Sequence, residues 1–496
     1  MINLKKKILV WLDDEITRFG IAKSLDDKKN FELHGLIDVS KKSKNFYEKQ
    51  TFVNFQKKWF LHDEIMMNES IDLDFLKKFE NKYELRIWDL INNERLFNKY
   101  NLLHNFSYHE TLKIFQSECK LFEKILIDNK PDYVFLQLPW HHHILLFVLL
   151  CEKLKIPTIF IRWNINDPSQ SFISDHWELL PENLENISVN AIEEKPTPKN
   201  SNYNSYLKKK STQLLSSRKK FFQGAMNYIF SPDTKEGNNY RYFGYSKFNL
   251  SKIILIDKIK TNYRKKFIDK NLTKNPNLEN KFIYFSLSIN QEQAISTLAP
   301  FYDDQIALIE NMAKCIPVDY KLIVKEHPYQ KFRSWRPIDE YKTIMNIPNV
   351  EFVHPDFSSK TLIQKSDIVI SISGTTPFEA GNLKKPSIMF TNRFFSYLPF
   401  ITVVTSIHEL TNKITEILST EYDYSDINKI TNYFEKVSFP VDYHALHGKA
   451  QDLFQSGGFL VNSNIDSNKM RSFLFDYQTE FSIIADQIEK KILELS

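Results

Sequence analysis

Residues 7–12, KILVWL, form a short apolar run that stops at Asp13, Asp14 and Glu15, and apolar positions then recur at helical spacing as far as Leu25. This predicts a strand, a loop and a helix. FELHGLIDV at 31–39 and DYVFLQLP at 132–139 read as further buried strands, 141–154 as a helix, and IPTIFIRW at 156–163 as a strand again. Strands alternating with helices predict a parallel sheet covered on both faces. The stretch 165–220 is polar and rich in Asn, Ser, Pro and Lys, and is expected to be a mobile loop or lid. An aromatic-rich helical region follows over 219–271, and NLTKNPNLEN at 271–280 marks a boundary.

From Lys281 the alternation restarts. FIYFSLSI is a strand, and Tyr302, Ile306, Ile309, Ala313 and Ile316 recur as the buried stripe of a helix, with Pro300 before it and Asp303 and Asp304 in its first turn. Then come YKLIVK, a helix over 338–345, VEFV, a helix over 358–365, DIVISIS, a helix from Pro377, and PSIMF. Residues 407–496 are mostly helical, and no short repeat is present. The pattern predicts two doubly wound α/β domains, 1–275 and 276–455, with extra helices and a helical C-terminal tail over 456–496. Open sheets of this kind bind ligands beyond the carboxyl ends of their strands, so the residues just after strands carry the interest.

At 496 residues, 42% hydrophobic and 26% charged, the chain has globular composition. Lysines and arginines (66) nearly balance acids (61) and are scattered, so nucleic-acid binding is not indicated. Cys119, Cys151 and Cys315 are far apart, suggesting neither disulfides nor a zinc site, and fit a reducing compartment. The apolar run at 144–151 is far below the roughly 18 residues of a membrane span. A cytoplasmic protein is expected, at most peripheral at the inner face of the membrane.

Three segments carry candidate chemistry. Lys325 and His327 stand at alternate positions of a strand end, a cation and an imidazole donor suited to a phosphate or diphosphate, with Pro328 stopping the strand. The alternative is that Lys325 and Glu326 are solvated and His327 merely fills the strand end. The run 371–380, SISGTTPFEA, passes from strand through Gly374 into a helix, so amides, the hydroxyls of Ser373, Thr375 and Thr376, and the helix dipole converge on an anion. Glu379 has two compatible readings: it accepts hydrogen bonds from ribose hydroxyls, and it closes a capping box on Thr376. Third, Ser288 to Glu292 follows the first strand of the second domain; Glu292 either orients donor or acceptor or is an ordinary loop acid. At the equivalent edge of the first domain, one of Asp13, Asp14 and Glu15 is a candidate acceptor-activating base; otherwise they charge a helix start. His141, His142 and His143 are read as non-metal, because successive helical residues point about 100° apart; one of them is a candidate substrate contact. No GxxxxGK[ST], GxSxG or HExxH pattern occurs.

Taken in order, LSINQEQAISTLAPFYDDQ, LIVKEHP, Arg336-Pro337 with Tyr341, IPNVEFVHP, LIQKSDIVISISGTTPFEA and KKPSIMF resemble the bacterial capsule polysaccharide biosynthesis proteins, a group of GT-B glycosyltransferases that includes the capsule Kdo transferases. That resemblance implies two Rossmann-like domains facing a cleft. The C-terminal one would bind a nucleotide-activated sugar and the N-terminal one a surface-glycan or lipid-linked acceptor. It further implies that His327 and the turn from Ser373 to Thr375 are phosphate ligands, that Glu379 is a nucleoside contact, and that no metal or other cofactor is required. The rival readings are a nucleotide-sugar epimerase of the same shape, a CDP-alcohol phosphotransferase, and a non-catalytic carbohydrate-binding member of a capsule assembly.

Overall fold

The computed structural model describes residues 5–99, 102–178, 236–290, 292–332, 334–456 and 462–496. Beyond 178, the loop expected over 165–220 lies outside these residues, as does the start of the helical region expected from 219. Among the described residues, twelve strands form two sheets. The first contains β1 (Lys6–Asp13), β2 (Phe31–Asp38), β3 (Phe55–Phe60), β4 (Tyr133–Phe135), β5 (Thr158–Trp163) and β6 (Ser171–Ser174), in the order β3-β2-β1-β4-β5-β6. The second contains β7 (Phe282–Ser286), β8 (Lys321–Lys325), β9 (Val350–Val353), β10 (Ile368–Ser371), β11 (Ser387–Met389) and β12 (Ile401–Val403), in the order β12-β11-β10-β7-β8-β9. All pairings are parallel except β5 with β6. Read from their first strands, both sheets have the same doubly wound, Rossmann-like order, and each reverses direction beside its first strand: between β1 and β4, and between β7 and β10.

The apolar runs form central strands because both faces are covered. Along β1, Ile8, Val10 and Leu12 enter one core while Leu9 and Trp11 enter another. Along β7, Ile283 and Phe285 face one core, and Phe282 and Tyr284 the other. The helix expected from Tyr302 begins later, at Gln305–Cys315, because the Asp304 carboxylate accepts from the Ile306 and Ala307 amides and caps it there. Asp303 turns away instead, to an ion pair with Lys99 of the first domain.

The tail is not an appendage. The helices Tyr443–Phe454, Ser467–Asp476 and Gln478–Leu495 place Leu446, Phe454, Met470, Phe473, Phe481, Ile484 and Ile488 in one core with Ile8, Val10 and Phe19. The chain therefore returns to the first domain before Tyr443, upstream of the boundary expected at 455. The return is stitched by paired backbone bonds between Ser171 and Phe439 (3.1 and 2.8 Å) and by Gln455, which donates to the Asp14 carbonyl (2.7 Å). Gly20, on the helix Thr17–Asp27, allows the last helix to lie close: a Cβ there would stand 2.3 Å from the Phe481 ring. Gly20→Ala is therefore expected to destabilise the protein by about 1–3 kcal/mol through overpacking, read as a lower urea midpoint; an unchanged midpoint would mean that the two helices are free to separate.

Candidate functional site

At the carboxyl edge of the second sheet, β7 lies between β8 and β10. Ser286 pairs with Lys325, and Phe285 pairs with Ile370, the residue before Ser371. Lys325, Ser286 and Ser371 thus form a row across three adjacent strands, with the outer two roughly 10 Å apart. Strand alternation turns all three toward the face lined by Tyr284, Ile323, Val369 and Ala380. The Ser371 hydroxyl accepts from the Gly374 amide (3.3 Å), which folds the turn 371–375 back over the strand end. His327 and Gly374, from separate motifs, therefore belong to one edge at the reversal point of the sheet. Ser286 was not among the residues singled out in the sequence, because a serine ending an apolar run is too common to mark a site.

Lys325 and Glu326 are not solvated: they are 2% and 0% exposed. Glu326 points to the opposite face, where its carboxylate receives Arg336 Nε (2.8 Å), the Tyr341 hydroxyl (2.9 Å) and the His327 amide (2.7 Å). Arg336 also donates to the Ser288 carbonyl (2.6 Å), so this buried pair ties the loops after β7 and β8 together. Burial pushes the Lys325 amine down to about 8, against the pull of Glu326 and Asp356. Burial, then Lys325 and Arg336, hold the His327 imidazole down at about 3. His327 Nδ1 accepts the Tyr329 amide (3.1 Å), so the ring is neutral with its proton on Nε2, the donor form expected.

The expected capping box on Thr376 does not form. The helix Thr376–Asn382 starts one residue after a non-extended Thr375, whose hydroxyl bonds Glu379 instead (3.3 Å). With seven residues, this helix also brings less dipole to the turn than expected. Ser373 is buried, while Gly374, Thr375 and Thr376 are half-buried. Burial raises the Glu379 carboxyl, with Thr375 opposing. Glu292 lies within electrostatic reach of Arg393, which follows β11, and Arg393 in turn reaches Arg162 at the end of β5. The end of β5 and the segment after β11 therefore lie near each other. Burial, then Arg393, pushes the Arg162 guanidinium down to about 9.

On the first sheet, the three acids after β1 have different surroundings. Asp13 is buried, ion-paired to Arg18, and accepts the Glu15 amide (2.7 Å). These bonds hold the turn after β1. Burial alone would raise Glu15, but Arg18 (2.8 Å) and His447 hold it at about 2. Asp14 is the exception: burial raises it to about 7, opposed by Arg241 and reinforced by Asp13 and Asp38. One Asp14 oxygen, Oδ1, has no hydrogen-bond partner.

Next to it, Asp38 at the end of β2 accepts from His62 (2.9 Å), His143 (3.0 Å) and Arg241 (2.9 Å), which hold it well below the usual carboxylate range despite burial. His142 sits between Glu94 (3.0 Å) and Glu118 (3.2 Å); burial would lower it, but Glu118 and Glu94 raise it to about 9. A 100° rotation per residue does not keep these histidines apart: ligand-capable atoms of Glu118, His142 and His143 all come within 4.8 Å of one another. His143 bonds Asp38 and Tyr240 (3.3 Å) and one Glu118 oxygen accepts from Tyr240 (2.9 Å), while His142 Nε2 and Glu118 Oε2 lie buried 3.2 Å apart without a hydrogen bond. His141 is the exposed member of the three, at the helix start.

This geometry stands beside a sequence match that covers both sides of the turn 371–375. Residues 185–413 match the capsule polysaccharide biosynthesis protein family. The matched stretch contains β7 to β12 and every residue of the row at their carboxyl edge. The resemblance to the capsule biosynthesis proteins drawn from the ordered motifs holds. No curated protein matches the chain. Among solved structures, Methanocaldococcus jannaschii UDP-GlcNAc 2-epimerase in complex with UDP-GlcNAc and UDP is similar at 14% identity, covering 87% of this chain and 99% of that one, with a TM-score of 0.28. The Thermosulfurimonas dismutans KpsC beta Kdo 2,7 transferase is similar at 10% identity over 73% and 87%, with a TM-score of 0.30. UDP-GlcNAc 2-epimerase from Neisseria meningitidis bound to UDP-GlcNAc follows at 15% over 86% and 98%, with a TM-score of 0.23.

Proposed function

We propose that the chain transfers a sugar from a nucleotide-activated donor to a surface-glycan acceptor of the capsule or lipopolysaccharide type. One observation carries this reading: Lys325, Ser286 and Ser371 form a row at the carboxyl edge of the second sheet, beside His327 and the serine and threonine turn, where the strand order reverses. Lys325 and His327 grip the phosphates and stabilise the charge that develops as the nucleotide leaves. The turn from Ser373 to Thr376 supplies further donors, and Glu379 contacts the ribose. Across the cleft, Asp14 accepts the proton of the attacking hydroxyl; a carboxyl titrating near 7 is half ionised at working pH, which suits a general base. Glu292 orients the reacting groups from the loop after β7. The match to the capsule biosynthesis family supports the substrate class.

Thermal shift with CMP, CDP, UDP, GDP and TDP tests the binding half of this reading, because a ligand of the folded state raises the midpoint in proportion to its affinity. One nucleotide is expected to stabilise well above the rest, and less so as pH rises through about 8, where Lys325 loses its charge. No shift with any of the five would remove the donor site. Product analysis tests the transfer: nucleotide release that depends on a glycan acceptor supports it, whereas an altered donor sugar without acceptor marks an epimerase.

A further inference from the structure

We infer that the helix Lys247–Asn271 carries a docking face for an anionic lipid surface. Of its 25 residues only Ile268 is buried. At about 1.5 Å per residue it is roughly 37 Å long. At 100° per residue, Phe248, Leu255, Ile256, Ile259 and Tyr263 fall within an arc of about 100°. They are 76%, 61%, 39%, 62% and 68% exposed.

Away from that arc, at roughly 110–170° from its centre, Leu250, Ile253 and Ile268 are partly or fully buried, and Phe267, about 20° beyond its edge, is partly buried. The helix is fastened by Arg264 to the Trp335 carbonyl (2.5 Å), by Asp257 to Ser334 (2.6 Å) and by Asp269 to His354 (3.3 Å). The bonds that seat the helix leave this apolar arc bare, and seating alone does not account for it.

Charge selects the occupant. Lys252 and Lys266 lie inside the bare arc, and Lys258 and Lys260 flank it on either side. The two acids of the helix, Asp257 and Asp269, fall outside the arc and are already bonded. A second copy packed on this face would bury Lys252 and Lys266 against their equivalents. At a bilayer the same lysines extend to anionic headgroups while the apolar residues enter the acyl boundary. Among the described residues no helix is long and apolar enough to cross a membrane, so this one lies flat. The loop that fastens it continues into Arg336, so docking holds the donor edge close to the lipid surface. This inference stands on the exposed face and does not depend on the transfer reaction.

Flotation of the full chain with vesicles tests it. Binding is expected to phosphatidylcholine vesicles containing phosphatidylglycerol, not to phosphatidylcholine alone, and to weaken with salt. Leu255→Asp with Ile259→Asp, at exposed positions that leave the melting midpoint in place, is expected to weaken binding at least about tenfold. Lys252→Glu with Lys266→Glu should do the same. Failure to bind anionic vesicles, equal binding to neutral ones, or unchanged binding by both variants would overturn the inference. So would a dimer that the Leu255 and Ile259 changes dissociate without any vesicle binding, which would give the face to a second copy.

Discussion

Replacing Lys325 and His327 together by alanine is expected to lower turnover by about 10²–10³-fold, the usual loss when a donor to developing negative charge is removed. The effect should fall on kcat at least as heavily as on KM, because the leaving phosphates gain charge only as the bond breaks. The pH profile separates this role from a structural one. In the parent, kcat/KM should rise through about 7 as Asp14 ionises and fall above about 8 as Lys325 deprotonates. In the double variant the alkaline limb should vanish while the acid limb stays. Turnover within a few-fold of the parent, at an unchanged melting midpoint, would show that these two residues do not hold the leaving group.

Glu326→Ala is expected to cost about 3–5 kcal/mol, because it strands a buried guanidinium, and Arg336→Ala should cost a similar amount by stranding the carboxylate. The double replacement should cost clearly less than the sum of the two. Denaturant unfolding of the three variants reads this directly. Single losses below about 1 kcal/mol would mean that water reaches the pair. The contrast is Lys28 with Asp486 and Glu489, a partly exposed cluster whose loss should be worth only about 0–1 kcal/mol.

The central strands were legible because parallel strands covered on both faces are continuous apolar runs, and KILVWL, YKLIVK and DIVISIS are such runs. β3, FQKKWF, gave no such signal: it is an edge strand, and Gln56 and Lys57 face solvent. For the last helices, amphipathic spacing predicted a buried stripe but not which core it would enter. Nothing local distinguishes a tail from a helix returning over several hundred residues to pack against Phe19.

The candidate site shows the same division. The sequence motif keeps Lys325 and His327 within electrostatic reach of each other. It carried no information on Glu326, whose partners Arg336 and Tyr341 arrive from a later loop and helix. The three acids after β1 looked equivalent, and only Arg18 and Arg241 tell them apart. Arg18 sits within the same short stretch of chain, whereas Arg241 comes from far along it.

The return of the last helices to the first sheet also bears on the order in which the chain acquires its cores during synthesis. The second domain's main core draws on one uninterrupted stretch, 268–417, and is complete once that stretch has emerged. One face of β1 and β2 must wait for Phe481, Ile484, Ile488 and Ile492. The half made first is therefore finished last, and its bare apolar face is the surface a nascent chain has to shield from aggregation.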